Sequence, residues 1–170
     1  MENNLDKITK TIKKCKKCRL WKFSANAVPG CGPDDSSVML IGQNPGKEEN
    51  NTGKPFVGRS GRFLDETLEK NNINRKDIFI TSVVKHATPK NRKPKEDEVA
   101  ACYPYLEEQI KEIKPKIVLL MGNVAKSIQR AKNIRYIETY HPAAAMRFPK
   151  INEKFQRDIQ ILKELIDEIL

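Results

Sequence analysis

Two short polar motifs, one in each half of the chain, carry side chains suited to chemistry on a bound substrate. Gly-Gln-Asn-Pro-Gly at positions 42–46 follows the apolar run 38–41, and Tyr-His-Pro at positions 140–142 follows another apolar run. An amide can orient water but cannot take up a proton, and a neutral imidazole can donate a hydrogen bond. Because open α/β folds place their sites at the carboxyl edge of the sheet, the two turns predict one assembled site.

The cysteines form the second group of candidate residues. Cys15 and Cys18 form a Cys-x-x-Cys pair whose thiolates can share a metal or cluster, and the lysines between them favour the thiolate form. The pair follows a predicted helix and precedes a loop, whereas the redox motif of this spacing begins a helix after a strand. Spacing alone does not choose the two further ligands, for which the candidates are Cys31, His86 and Cys102.

Length and charge limit the classes of function. A chain of 170 residues fits one domain, 1–170, and the net charge of +10 favours a polyanionic partner, with nucleic acid ahead of a membrane surface. Genome composition or heat adaptation is the alternative source of a lysine-rich surface. No apolar run is long enough to span a bilayer and the start is unlike a signal peptide, so we expect a cytoplasmic protein. In that compartment four cysteines indicate metal or redox chemistry rather than disulfides.

The elements that must position these residues alternate between helix and strand. A three-layer α/β/α sandwich with a central four-stranded parallel sheet is therefore the predicted fold. Segment 19–36 reads as irregular, and 88–94 as a basic loop punctuated by proline. The predicted helices are 4–14, 61–70, 95–113, a short one after Gly122 and one from about 151, and the predicted strands are 37–42, 77–84, 116–121 and 134–139.

In this order, the motifs resemble those of the iron–sulfur, family-four branch of the uracil-DNA glycosylase superfamily. The match covers nearly the whole chain and is carried by 15–18, 42–46, 52–61, 80–85, 91–94, 102–106 and 140–144. Several motifs in the right order are far more specific than any one of them. The resemblance implies an enzyme that extrudes uracil, or another deaminated base, from DNA and hydrolyses its N-glycosidic bond with water.

The resemblance also implies roles for individual residues. Phe56 would stack on the flipped base, and His141 would donate a hydrogen bond to the base as it departs as an anion. Gly42 and Gln43 would lie in the base pocket, with Gln43 also beside the reacting atoms. A core position for Phe56 and a helix cap before Pro142 for His141 are the structural alternatives.

Two departures from the family-four pattern bear on catalysis. Gln43 and Asn44 stand where relatives carry Glu-Ala, and Asn44 resembles the single-strand-selective and mismatch-specific branches, in which this residue positions water. Ser82 stands where relatives place an Asn that reads the uracil edge. One hydroxyl offers fewer hydrogen-bonding groups and a shorter reach than an amide. The pocket therefore either accepts other deaminated bases or recognises uracil through backbone groups and water.

A third departure concerns the cluster. His86 occupies a cysteine position, as in a related branch that becomes covalently trapped on DNA through a histidine in an extra loop. Segment 89–94 is shorter and has no histidine, so we predict turnover. The resemblance assigns a structural 4Fe–4S cluster to Cys15, Cys18, His86 and Cys102, with Cys31 ranked below His86 and zinc as the alternative cofactor.

Basic residues near these motifs predict contacts with phosphates, although a solvated charged face is the alternative. They include Lys16, Lys17, Lys90 and Lys93. Segment 143–147 would be a loop that wedges into the gap left by the flipped nucleotide. The expected DNA-contacting residues are Arg59, Ser60, Lys85, Arg92, Ala143, Met146 and Arg147.

Two rival functions remain at this stage. One is a catalytically inactive DNA-binding module of the same fold, and the other is a zinc protein that uses its cysteines for structure only. We expect a monomer whose partner is DNA containing a deaminated base. The preferred base and the preference for single or double strands stay open.

Overall fold

A computed structural model describes residues 1–170, which form seven helices and four strands. Three further short segments, Arg19–Phe23, Arg75–Asp77 and Pro89–Asn91, are 3₁₀ turns. The helices and strands are α1 (Asn4–Lys13), β1 (Val38–Gly42), α2 (Lys47–Thr52), α3 (Arg59–Lys70), β2 (Phe79–Ser82), α4 (Glu96–Ile113), β3 (Ile117–Met121), α5 (Asn123–Lys126), β4 (Arg135–Thr139), α6 (Pro142–Arg147) and α7 (Pro149–Ile169).

The four strands form one parallel sheet in the order β2-β1-β3-β4. Gly42 at the end of β1 is paired with Ser82 at the end of β2, and Met121 at the end of β3 with Thr139 at the end of β4. All four carboxyl ends therefore meet at one edge, and both polar motifs begin there. This confirms the predicted four-stranded parallel sheet.

Two apolar cores, one on each face of the sheet, explain the unbroken apolar runs of the central strands. Met39 and Ile41 belong to the core shared with α1, α4 and α5, whereas Val38 and Leu40 belong to the core shared with α3 and α7. Every residue of β1 and β3 is buried, as expected for strands covered on both faces. The three-layer arrangement is thus confirmed. No helix is both long enough and apolar enough to cross a membrane.

Two short helices were missed in the sequence. Helix α2 follows the first motif, and α6 spans the whole segment 143–147, so the predicted loop conformation was wrong while its wedging role remains a prediction. Both helices begin at recognisable caps: Glu49 bonds back to Gly46, and His141 precedes a proline at the first turn of α6. Six residues are too few to show helical periodicity, and the caps were the available signal.

Candidate active site

A cavity of about 360 Å³ opens at the carboxyl edge of the sheet. Gln43 and Asn44, directly after β1, line it together with Ser82 of β2. His141 enters from the turn after β4, and Phe56 from the loop between α2 and α3. The structure thus brings together both motifs and the strand-two position, as the sequence predicted.

The Phe56 ring forms one wall of the cavity and is only 8% exposed. It stacks beside the His141 ring, with 5.8 Å between centroids and 28° between planes. Beneath it lies Gly42, where an added Cβ would come 2.6 Å from the Phe56 Cζ. Gly42 itself does not line the cavity, and its predicted place in the base pocket remains a prediction. Its lack of a side chain makes room for the ring.

The backbone around Phe56 is fixed from several sides. Phe56 has φ of 48°, a left-handed conformation that is costly for a bulky residue and needs support from its surroundings. Arg75 supplies part of that support by donating from Nη1 to the Phe56 carbonyl at 2.8 Å and from Nη2 to the Pro55 carbonyl at 2.6 Å. A Cβ at Gly61 of α3 would overlap the Phe56 carbonyl. The ring is therefore positioned before any substrate binds.

The environment of His141 keeps its imidazole neutral. Nδ1 accepts a hydrogen bond of 3.1 Å from the Ala143 amide and so caps α6. Burial lowers the pKa of His141 to about 4, against the opposing charge of Glu49. Because Nδ1 is an acceptor, the ring proton resides on Nε2, which is then a donor. The capping role is present, and it leaves a neutral donor at the cavity.

Asn44 belongs to a chain of amides. Gln43 Nε2 donates to Asn44 Oδ1 at 3.0 Å, and Asn44 Nδ2 donates to the Pro45 carbonyl at 2.9 Å and to Asn91 Oδ1 at 3.3 Å. Asn91 lines the cavity too, but it was not among the predicted site residues. The backbone of Asn91 has φ of 55°, a left-handed conformation that Asn adopts more readily than most residues. The residue type was therefore the only local indication in the sequence.

Ser82 presents oxygen lone pairs rather than a proton to the cavity. Its hydroxyl donates to the Val84 carbonyl at 2.7 Å, and the side chain is buried. A hydroxyl whose proton is used in this way can only accept from a bound molecule.

Glu49 is the only carboxylate that lines the cavity, and it was also missed. Oε1 accepts from the Gly46 amide at 3.0 Å, and Oε2 accepts from the amides of Val57 and Gly58 at 2.8 and 2.7 Å. Both oxygens are therefore engaged with backbone amides, and the side chain joins the first motif to the loop that carries Phe56.

A rim of polar and basic residues surrounds the mouth of the cavity. Phe148, between α6 and α7, lines the cavity with its side chain half exposed and was missed in the sequence. Five predicted DNA-contacting residues lie around a shallow depression beside the cavity: Arg59, Ser60, Ala143, Met146 and Arg147.

One other predicted DNA contact was wrong. Lys85 is 1% exposed, and its ammonium donates to Thr81 Oγ1, the Ser82 carbonyl and Gln109 Oε1 at 2.6–2.7 Å. Its charge is thus enclosed by acceptors, and it cannot reach a phosphate. Burial lowers the pKa of Lys85 to about 7.

Arg92 is held by an internal carboxylate. It donates from both terminal nitrogens to the fully buried Glu98, at 2.7 and 2.9 Å, and Arg19 contacts the same carboxylate at 3.4 Å. These contacts lower the pKa of Glu98 to about 2, with the Arg92 hydrogen bonds as the largest cause. Arg92 therefore fixes the basic loop to α4, and because its side chain stays 32% exposed its contact with DNA remains a prediction.

The predicted metal ligands gather on one side of the sheet. Cys102 on α4 is buried, and Cys15 and Cys18 pack against the same apolar core. His86 is buried and lines the same surface groove as Cys15. Burial raises the pKa of Cys102 to about 11 and also raises that of Cys18, so both are thiols without a metal. No three His, Cys, Asp or Glu side chains are close enough to hold a single ion.

Cys31 lies apart from these residues. It is exposed and lines a different surface depression, beside Asp65 and Arg75. Its backbone forms an isolated bridge to Ile80 at the edge of the sheet.

Comparison with known proteins supports one family. The family model of the uracil DNA glycosylase superfamily matches residues 29–164. The type-4 uracil-DNA glycosylase of Saccharolobus solfataricus is 39% identical, with 96% of this chain and 87% of the relative covered. Proteins of the same description from Sulfurisphaera tokodaii and Pyrobaculum aerophilum are 36% and 38% identical, covering 96% and 92% of this chain and 85% and 91% of the relatives.

Proposed function

This chain belongs to the uracil-DNA glycosylase superfamily, and from that premise we propose that it hydrolyses the N-glycosidic bond of uracil in DNA. The observation that carries the proposal is the cavity at the carboxyl edge of the sheet. It combines an aromatic wall, a neutral imidazole donor and a pair of amides around a space that fits a nucleobase. Hydrolysis requires the base to leave the stack, since its bond to the sugar is out of reach inside a duplex.

Phe56 holds the extruded base. Stacking on an aromatic side chain is worth about 1–3 kcal/mol per base. Because Arg75 and Gly61 fix the backbone of Phe56 in advance, little of that energy is lost in ordering the loop when the base arrives.

His141 stabilises the leaving group. As the bond to C1′ breaks, the sugar gains oxocarbenium character and uracil leaves as an anion. A neutral imidazole that donates from Nε2 to the base O2 favours this late charge, and removing one such donor slows comparable reactions by about 10²–10³-fold.

Asn44 and Asn91 orient the attacking water. Their side chains are hydrogen-bonded to each other, and Gln43 fixes the Asn44 amide from the other side. Neither amide can take up a proton, so the pair places water against C1′ while the departing anion drives the reaction. The oxygens of Glu49 are engaged by three backbone amides, which makes this carboxylate a loop clamp rather than a base.

Ser82 contributes to base selection as an acceptor. Uracil carries N3–H, whereas the N3 of cytosine carries a lone pair that would oppose the Ser82 oxygen. Hypoxanthine likewise carries N1–H, whereas the N1 of adenine carries a lone pair. An acceptor at this place therefore favours the deaminated base of each pair, provided that the base fits the cavity.

The donor set fits a four-iron cluster, because three thiols and one imidazole on the same side of the sheet can supply one ligand to each iron. A single zinc ion held by the same residues is the alternative. Cys15, Cys18, Cys102 and His86 would be those ligands. The cluster would rigidly link three parts of the chain: the end of α1, the segment after β2, and α4. It would take no part in the chemistry at the base.

The same proposal includes a monomeric enzyme at work in the cytoplasm, where thiols stay reduced. The absence of a histidine in the basic loop supports turnover without a covalent protein–DNA adduct.

Base release from matched oligonucleotides tests the function. Wild type should release uracil from U:G, U:A or single-stranded substrates, and Asn44→Ala should slow release by about 10²-fold. Ser82→Asn should increase the preference for uracil over hypoxanthine, because an amide can also donate to the uracil O4. Salt-sensitive DNA binding without release of any base would favour the inactive binding module and refute the enzyme.

A further inference from the structure

A basic groove lies next to the base cavity and takes no part in the chemistry proposed above. Its rim carries four exposed lysines, Lys13, Lys14, Lys16 and Lys54, and Trp21 forms part of its wall. We define these five residues as the basic groove. No carboxylate lines it, and none of the four lysines forms an ion pair within the protein. The positive charge of the groove therefore has no internal counterion.

The groove adjoins the base cavity, and one wall separates the two. Ala27 lines the groove and the next residue, Val28, lines the cavity; likewise Lys54 lines the groove and Pro55 the cavity. The wall between them is fixed, since Asn50 of α2 accepts from the Ala25 amide at 2.8 Å. The nucleotides that flank one held in the cavity therefore lie within reach of the groove.

Trp21 indicates how the strand would be held. The Lys16 ammonium lies 4.8 Å from the centroid of its ring, so charge and an aromatic face occur together. Lysines around a partly exposed aromatic ring are the combination that binds single-stranded nucleic acid, because phosphates meet the ammonium groups and unpaired bases stack on the ring. A duplex offers the phosphates but keeps its bases stacked inside.

We propose that the basic groove binds single-stranded DNA flanking the extruded nucleotide. This inference rests on the proposed function for the identity of that nucleotide. Cys15 and His86, two of the proposed cluster ligands, line the same groove, and the test therefore leaves both unchanged.

The test measures equilibrium binding of DNA that contains no uracil, so its result is independent of glycosylase activity. The variant Lys13→Gln/Lys14→Gln/Lys54→Gln removes three rim charges and leaves the Cys-x-x-Cys segment untouched. Its matched control removes three exposed lysines at the opposite edge of the sheet, Lys70, Lys76 and Lys111. Circular dichroism and thermal melting check that both variants fold.

For a single-stranded 20-mer, loss of three phosphate contacts should reduce the steepness of the plot of log binding constant against log salt concentration by about 2. At 0.1 M salt this corresponds to an affinity about 100-fold weaker than that of wild type. Duplex of the same length should be affected less, and Trp21→Ala should weaken only single-strand binding, by about tenfold, with Trp21→Phe close to wild type. Equal losses in the groove variant and its control would overturn the inference. So would equal losses for single-stranded and duplex DNA. Failure of uracil release with these binding results intact would refute the proposed function alone.

Discussion

Replacing His141 should slow uracil release by about 10²–10³-fold, because one donor to the departing anion is lost. Two variants separate this role from helix capping. His141→Ala removes both the donor and the acceptor for the Ala143 amide, whereas His141→Asn keeps a good N-cap but shortens the side chain. If the donor matters, both variants should be slowed to a similar degree, and only His141→Ala should also lose about 1 kcal/mol of stability.

The pH dependence follows from the same contacts. With burial lowering the pKa of His141 to about 4, only about one molecule in a thousand carries an imidazolium at pH 7. Single-turnover rates should therefore be unaffected by His141 between about pH 8 and pH 5 and should fall as the pH approaches 4. Because the unfolded histidine titrates near 6.5, the contribution of the neutral cap to stability should decline as the pH falls from about 6.5 to about 4.

Single-turnover uracil release from a labelled oligonucleotide is the appropriate assay, since product release then cannot mask the chemical step. A rate that rises as the pH falls through about 6.5, with the rise absent in His141→Asn, would refute the neutral-donor mechanism. Full activity of His141→Asn would show that capping is the only role of the residue.

Three further predictions concern groups around the site. Glu98→Gln should lower the free energy of unfolding in urea titrations, because the buried carboxylate that pairs with Arg92 and Arg19 is lost. Wild type alone should lose this stabilisation as the pH falls from about 4.5 to about 2, since the pKa of Glu98 is lowered in the folded protein. Gly42→Ala should displace the Phe56 ring and reduce kcat/KM for uracil release at least about tenfold, at a stability cost of about 1–3 kcal/mol. Lys85→Met should destabilise the fold by about 2–3 kcal/mol in the same titrations, because three buried acceptors lose their donor, while the folded variant binds undamaged duplex DNA as wild type does.

Each of these predictions can fail in its own way. An unchanged acid-unfolding profile in Glu98→Gln would mean that the buried ion pair does not stabilise the fold. Wild-type kinetics in Gly42→Ala would show that the ring position is unimportant or that the ring moves freely. If folded Lys85→Met showed a weaker salt dependence of DNA binding than wild type, Lys85 would contact a phosphate despite its burial.

Much of the fold could be predicted because its signals are local. The apolar runs that became β1 and β3 are buried on both faces, and an unbroken run is the pattern of such strands. Turn motifs directly after strands then placed Asn44 and His141 at one edge of the sheet. Strand β2 was predicted too long, but Val83 and Val84 continue past its end by donating to the Gly42 and Gln43 carbonyls.

The errors arose where a residue's partners are distant in sequence. A lysine that follows a strand looks like a surface charge, and only the fold places Gln109 against Lys85. A nearer partner was hidden as well, since the sequence shows the charge of Arg92 but not the burial of Glu98 in the first turn of α4. Asn91 was overlooked because its place in the cavity depends on the path of an irregular loop, which no periodicity reports.

Counting free uracil released per enzyme molecule tests the proposed function most directly. Wild type with excess uracil-containing single-stranded oligonucleotide should release several equivalents of free base and leave abasic DNA with no protein attached. The double variant Asn44→Ala/His141→Ala should bind the same oligonucleotide but release almost none. No release by wild type, or equal release by the double variant, would contradict the assignment of the enzyme or of its site.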